Sequence, residues 1–279
     1  MDKPICLITG ATDGIGKATA AELARVGYTV VLAGRNEAKA ATVTREIVES
    51  TGNRDVDYLT ADLGSLAQLH RLAEAFKVRY PRLDVLINNA GVIMPQRVLT
   101  GDGYETTYQV NYLAQFCLTQ LLLAELEKSP QGRVINLSSS MYRAGKFDPG
   151  NLQGERRFST IGAYAASKLC VLLFTIELAH RLVPTRVTAN AVHPGIVRTP
   201  MMRGAEGVPR AISYAALPFS LSADKGAATS VFLASSAEAA QVSGQYFANA
   251  KTKEIKTAFN TQENRNLLWS LSMDAYQRA

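Results

Sequence analysis

The chain has 279 residues, 47% hydrophobic and 19% charged, which is enough apolar content for a sizeable core in a single α/β domain spanning 1–279. A formal charge of +6 is scattered along the sequence, and with no basic block or aromatic–basic interleaving it argues against nucleic-acid binding. The three cysteines, Cys6, Cys117 and Cys170, have neither CxxC spacing nor a histidine at ligand distance, which argues against a disulfide framework and a metal site.

The opening stretch MDKPICLITG has an apolar run too short for a signal peptide or anchor. The expectation is a soluble, cytoplasmic protein with no membrane contact. ICLIT (5–9) reads as a strand buried on both faces. TGATDGIG follows it and opens an Ala-rich helix over 15–26, so Gly10, Gly14 and Gly16 stand where a dinucleotide-binding turn needs them. Glycine permits the tight turn and lets the backbone approach a pyrophosphate at the helix N-terminus. Thr12, Asp13 and Ile15 lie in the same turn and join the candidate cofactor contacts. Its spacing, Gly-x3-Gly-x-Gly, differs from the usual Gly-x-Gly-x2-Gly fingerprint.

TVVLA (29–33) is the second strand; Gly34, Arg35 and Asn36 follow it, then a helix over 37–50. A carboxylate at this strand end would bind the ribose 2′-hydroxyl, whereas Arg35, with no acid before Glu37, suits a 2′-phosphate. NADP(H) is therefore expected ahead of NAD(H). DYLTA (57–61) leads to Asp62 and Leu63, candidate cofactor contacts, though Asp62 could equally cap the helix over 65–79. DVLIN (84–88) precedes a helix over 104–128, whose uncharged stretch Val110 to Ala124 reads as buried. RVINL (133–137) runs into Ser138, Ser139 and Ser140 before a helix over 162–182. RVTANAV (186–192), a helix over 224–237, an edge strand at QYFAN (245–249) and an amphipathic segment at 261–277 around Trp269 complete the pattern. That last segment packs on the core or on a partner. Strand and helix in alternation predict a doubly wound, Rossmann-type parallel sheet of about seven strands with helices on both faces.

Two Tyr-x3-Lys pairs stand out: Tyr164 with Lys168, and Tyr142 with Lys146. On a helix this spacing places both side chains on one face. AYAASKLCVLLFTIELAHRL has strong helical spacing, whereas Tyr142 follows a strand closely and Gly145 interrupts its stretch. Tyr142 is expected to line the substrate cleft or to pack in a loop. His70 and His180 lie in helical surface patterns, and His193 reads as a structural turn residue before Pro194 and Gly195.

TGATDGIG (9–16), NNAG (88–91), Asn111 in VNYL, LSSS (137–140), YAASK (164–168) and HPGIVRTP (193–200) occur together in this order. Over residues 5–250 the chain resembles the short-chain dehydrogenase/reductase family, and FDPGNLQGERRF (147–158) resembles the insert of its retinol-dehydrogenase-like branch. The resemblance implies Tyr164 as general acid/base, and Lys168 as its partner and a ligand of the nicotinamide ribose. It implies Ser139 as the catalytic serine of the cluster and Asn111 as the holder of a water linking Lys168 to solvent. Asn88, Ala90 and Gly91 would line the adenosine ribose side, and Pro194, Gly195, Ile196 and Thr199 the nicotinamide side. An ammonium near the phenol, together with the positive nicotinamide of the oxidised cofactor, would favour phenolate and lower the tyrosine pKa. A homodimer is a further expectation from the resemblance.

The segment 198–226 is expected to be a substrate loop, with Met201, Met202, Ile212, Tyr214, Leu217 and Phe219 forming an apolar wall or packing on the body. The leading reading is an NADP(H)-dependent carbonyl reductase or alcohol dehydrogenase for a bulky apolar substrate. Its rivals are a non-catalytic NADP(H)-binding sensor or structural protein, and an NAD-dependent epimerase or dehydratase.

Overall fold

The computed structural model describes residues 3–197 and 221–278. Its first half alternates β1 (Ile5–Thr9), α1 (Gly14–Arg25), β2 (Thr29–Gly34), α2 (Glu37–Thr51), β3 (Val56–Thr60), α3 (Leu66–Arg79) and β4 (Val85–Asn88). Next come α4 (Thr106–Tyr108), a π-helical turn (Gln109–Leu113), α5 (Ala114–Leu121) and α6 (Leu123–Glu127). The second half contains β5 (Arg133–Leu137), a 3-10 turn (Ser140–Ala144), α7 (Thr160–Arg181), β6 (Thr188–His193), α8 (Ala223–Ser235), β7 (Tyr246–Ala248), β8 (Lys251–Lys253) and α9 (Gln262–Gln277).

The strands lie in the order β3-β2-β1-β4-β5-β6-β7-β8, parallel throughout except β8, which is antiparallel to β7. Unbroken apolar runs suit strands covered on both faces, and β1 shows how the faces divide. Ile5 and Leu7 enter the core beside α3, α5, α7 and α9, while Cys6 and Ile8 enter the core beside α1 and α2. The sheet has eight strands, not seven. The eighth is the exposed, lysine-rich β8, whose polarity hides it from an apolar pattern. Asn249 and Ala250 turn the hairpin in the left-handed region, as tight two-residue hairpins require.

The expected helix over 104–128 is broken into shorter pieces, and the wide turn at Gln109–Leu113 faces Asn111 towards Val92. The expected loop over 198–226 also needs correction. Residues 198–220 lie outside the described residues, and Ala223 already begins α8 behind an N-cap at Ser222. Helix α7 is long and apolar enough to cross a membrane by composition, yet 72% of its most apolar window is buried inside the molecule. It is the central core helix.

Helix α9 packs on this core. Trp269 meets Phe116 edge-on at 5.1 Å, and the Arg181 guanidinium covers its ring at 4.2 Å. Gln262 donates to the buried Glu177 carboxylate at 3.0 Å.

Candidate active site

The strand order reverses between β1 and β4, so their carboxyl ends diverge into a crevice, the place where open α/β sheets bind ligands. Most of the sequence-predicted cofactor and catalytic residues that the structure describes gather along this edge of the sheet.

At the end of β1 the chain turns without room for side chains. Gly10 has φ +64, and a Cβ on Gly16 would come within 2.3 Å of the Gly10 carbonyl oxygen. Asp13 caps α1: its Oδ1 accepts from the Gly14 N–H at 2.8 Å, while Oδ2 pairs with Lys39 at 2.6 Å. The hydrogen bond from Lys39 is the main reason that the Asp13 carboxyl lies below its ordinary pKa. The Ile15 and Gly16 N–H groups of the first helical turn have no partner among the described residues, so they remain available to an anion. The Ile15 side chain packs inward, and Thr12 lies against Gly34 at the end of β2.

Arg35, just past β2, is exposed and has no side-chain partner among the described residues. Asn36 is occupied otherwise: its Oδ1 accepts from the Lys39 N–H at 2.9 Å and caps α2. Asp62 does not cap α3. Its Oδ1 accepts from the Gly64 N–H at 2.9 Å, while Asp102 takes the Leu66 N–H. Leu63 packs against the core.

Asn88 corrects the expectation. Its side chain is fully buried and donates to Thr119 Oγ1 at 3.1 Å and Asn136 Oδ1 at 2.8 Å, so it faces the core rather than a ribose. Its neighbour Asn89, which sequence reasoning missed, turns the other way. Asn89 Nδ2 donates to the carbonyls of Thr9 at 2.8 Å and Gly10 at 3.1 Å, tying β4 to the glycine turn. The strand period held the clue, since adjacent residues face opposite ways. Ala90 N–H donates to Thr9 Oγ1 at 3.1 Å, with Gly91 following.

The end of β5 separates the three serines. Ser138 is buried, and its hydroxyl donates to the Lys168 carbonyl at 2.8 Å. Ser140 is exposed. Ser139 Oγ accepts from the Met141 N–H at 3.2 Å, and its hydroxyl stands close enough to Tyr164 to act on the phenol. Ser159 caps α7 by accepting from the Gly162 N–H, which starts the helix just before Tyr164. Lys168, one turn on, is buried; its Nζ donates to the Leu137 carbonyl at 2.7 Å and lies 5.7 Å from the Tyr164 ring centroid.

Burial brings the Lys168 amine down to about 8. Burial also raises the Tyr164 phenol above its ordinary value, and the nearby Ser139 hydroxyl opposes that rise. The expected lowering of the tyrosine by its lysine is therefore not found in the chain alone. The ammonium is engaged with a backbone carbonyl, and loss of water dominates the phenol.

Asn111 Oδ1 accepts from the Val92 N–H at 2.7 Å, and its Nδ2 donates to the Val92 carbonyl at 3.0 Å and Ser167 Oγ at 3.1 Å. Both amide hydrogens are thus occupied, so this side chain has none left to donate to a water. Ser167, also missed, donates in turn to the Tyr164 carbonyl at 2.7 Å. Its position beside Lys168 in the YAASK stretch was the available signal.

Tyr142 is wholly buried, so it does not line a cleft. Its Oη accepts from the Lys256 N–H at 3.1 Å, and Tyr246 meets it edge-on at 5.0 Å. Pro194, Gly195 and the exposed Ile196 continue from β6, and Val197 forms an isolated bridge with Leu221. Thr199, Met201, Met202, Ile212, Tyr214, Leu217 and Phe219 lie outside the described residues.

The family model described as short chain dehydrogenase matches residues 4–207. Retinol dehydrogenase 12 of Mus musculus is 40% identical over 277 residues, covering 97% of this chain and 85% of its own. Polyprenol dehydrogenase of Homo sapiens is 38% identical over 279 residues, with 97% and 84% covered. Among solved structures, the active-site complex of Pseudomonas aeruginosa RhlG with NADP aligns with TM-score 0.70 and 27% identity, covering 87% of this chain and 93% of that one.

Proposed function

The chain belongs to the short-chain dehydrogenase family, and on that premise we propose that it is an NADP(H)-dependent oxidoreductase acting on the carbonyl or secondary alcohol of a bulky apolar substrate. The observation that carries this reading is the meeting of Ser139, Tyr164 and Lys168 at the end of β5, on the same sheet edge as the glycine turn.

The residues present fit the cofactor. The free N–H groups of Ile15 and Gly16 would hold the pyrophosphate, Arg35 the 2′-phosphate and Lys168 the nicotinamide ribose hydroxyls. Bound there, the cofactor supplies the hydride. Tyr164 donates its Oη proton to the carbonyl oxygen in reduction and recovers it in oxidation. Its raised pKa keeps that proton in place at neutral pH, which suits the reductive direction. Ser139 donates from Oγ to the same oxygen, while the Met141 N–H orients the serine oxygen from behind.

The apolar substrate class is supported by relatives named for retinol and polyprenol. Three free, buried thiols support a reducing compartment such as the cytoplasm. A homodimer would have to use a face other than the one α9 covers.

The test is NADPH consumption across a panel of carbonyls, with Tyr164→Phe as control. Turnover of apolar ketones or aldehydes that collapses in the variant is expected. Unchanged rates in Tyr164→Phe would overturn the mechanism. Good turnover of small charged carbonyls, with little affinity for apolar ones, would overturn the substrate class.

A further inference from the structure

Ser139 stands immediately before the 3-10 turn Ser140–Ala144, and the start of such a turn leaves N–H groups that need acceptors. Two of them are satisfied locally: Met141 N–H by Ser139 Oγ at 3.2 Å, and Tyr142 N–H by the Ser139 carbonyl at 3.0 Å. The Ser140 N–H instead leaves the turn and donates to His193 Nδ1 at 3.3 Å. His193 ends β6, which runs parallel to β5 with Leu137 opposite Val192, so the imidazole stands beside the start of the serine run.

An imidazole accepting at Nδ1 is neutral and carries its proton on Nε2. The groups around it favour that state. Arg143 approaches from the turn, and the β7 residue opposite His193 is Ala248, which carries no titratable group. Burial, and then the Arg143 charge, hold the His193 pKa below its ordinary value.

We propose that His193 is a positioning residue: its neutral imidazole holds the Ser140 N–H and so fixes the turn that aims Ser139 Oγ at Tyr164. The inference rests on the roles proposed above for Ser139 and Tyr164. Asparagine at this position brings an amide oxygen near the place of Nδ1, whereas alanine brings no acceptor.

The test compares His193→Ala, His193→Asn, Ser139→Ala and Tyr164→Phe in NADPH-dependent carbonyl reduction, with hydrogen exchange of the Ser140 amide as an independent readout. His193→Ala should lower kcat about tenfold, as expected for one lost orienting hydrogen bond. KM for NADPH should hold, and the Ser140 amide should exchange faster. His193→Asn should recover most of both. In the unsubstituted chain kcat should fall as pH drops through the lowered histidine pKa, because a protonated Nδ1 cannot accept; that acid limb should be missing in His193→Asn. Full kcat in His193→Ala, with rates collapsed in Ser139→Ala and Tyr164→Phe, would overturn the positioning role and leave the reaction intact. His193→Asn no better than His193→Ala would overturn it too, by pointing to ring packing. Unchanged rates in Ser139→Ala and Tyr164→Phe would remove the reaction itself, and this inference with it.

Discussion

Two tyrosine–lysine pairs share one spacing and have opposite surroundings. Tyr164 and Lys168 sit on α7, where Lys168 is 3% exposed, bonded to the end of β5 and within 5.7 Å of the phenol ring. Tyr142 sits on a 3-10 turn with its Oη committed to Lys256, while Lys146 lies exposed beyond the end of that turn. Identical spacing yields a pair only where a helix carries it. The two regions also touch: a Cβ on Gly145 would lie 2.5 Å from the Ala165 carbonyl oxygen and 2.9 Å from Leu169 Cβ. The glycine that breaks one pattern lets its turn press against the helix bearing the other.

That contrast can be broken at several points. Tyr164→Phe should cost the most, lowering kcat by about 10²–10⁴-fold, the usual contribution of a positioned proton donor, with an unchanged melting temperature. Lys168→Met should lower kcat by about 10²-fold and should also alter the pH dependence of stability. With the folded amine near 8, the unfolded chain binds more protons between about pH 8 and the ordinary lysine value. Stability measured by urea unfolding should therefore rise across that window in the unsubstituted chain, and Lys168→Met should lose the rise.

Gly145→Val should destabilise the fold by about 1–3 kcal/mol by overpacking the turn against α7, read as a lower melting temperature. Tyr142→Phe should be the mildest. Losing the acceptor for the Lys256 N–H should cost about 1 kcal/mol, and kcat should hold. A loss of kcat in Tyr142→Phe comparable with that in Tyr164→Phe would erase the distinction between the pairs.

Much of this was legible in the residues. ICLIT and RVINL fall on β1 and β5 with the expected bounds, and the glycine turn, Arg35 and the serine run all lie at carboxyl ends of strands. The π-helical turn was not legible, because Gln109–Leu113 carries the same apolar period as the regular helix around it. Nor was β8, whose lysines offer no apolar alternation. The direction of the Tyr164 pKa in the chain alone was not legible for a related reason. A nearby ammonium can be read from spacing, whereas loss of water depends on everything packed around the ring.

By itself the sequence determined the doubly wound sheet, the glycine turn at its switch point and the four-residue spacing of Tyr164 and Lys168, since apolar period and turn chemistry act over a few neighbouring residues. Only the tertiary structure decided which serine faces Tyr164, which asparagine braces the turn and which tyrosine is core. Each of those outcomes depends on a partner far along the chain: Ser138 on Lys168, Asn89 on Gly10, Tyr142 on Lys256 and Ser140 on His193. Burial and hydrogen-bond partnership belong to the packed molecule, and local sequence does not encode them.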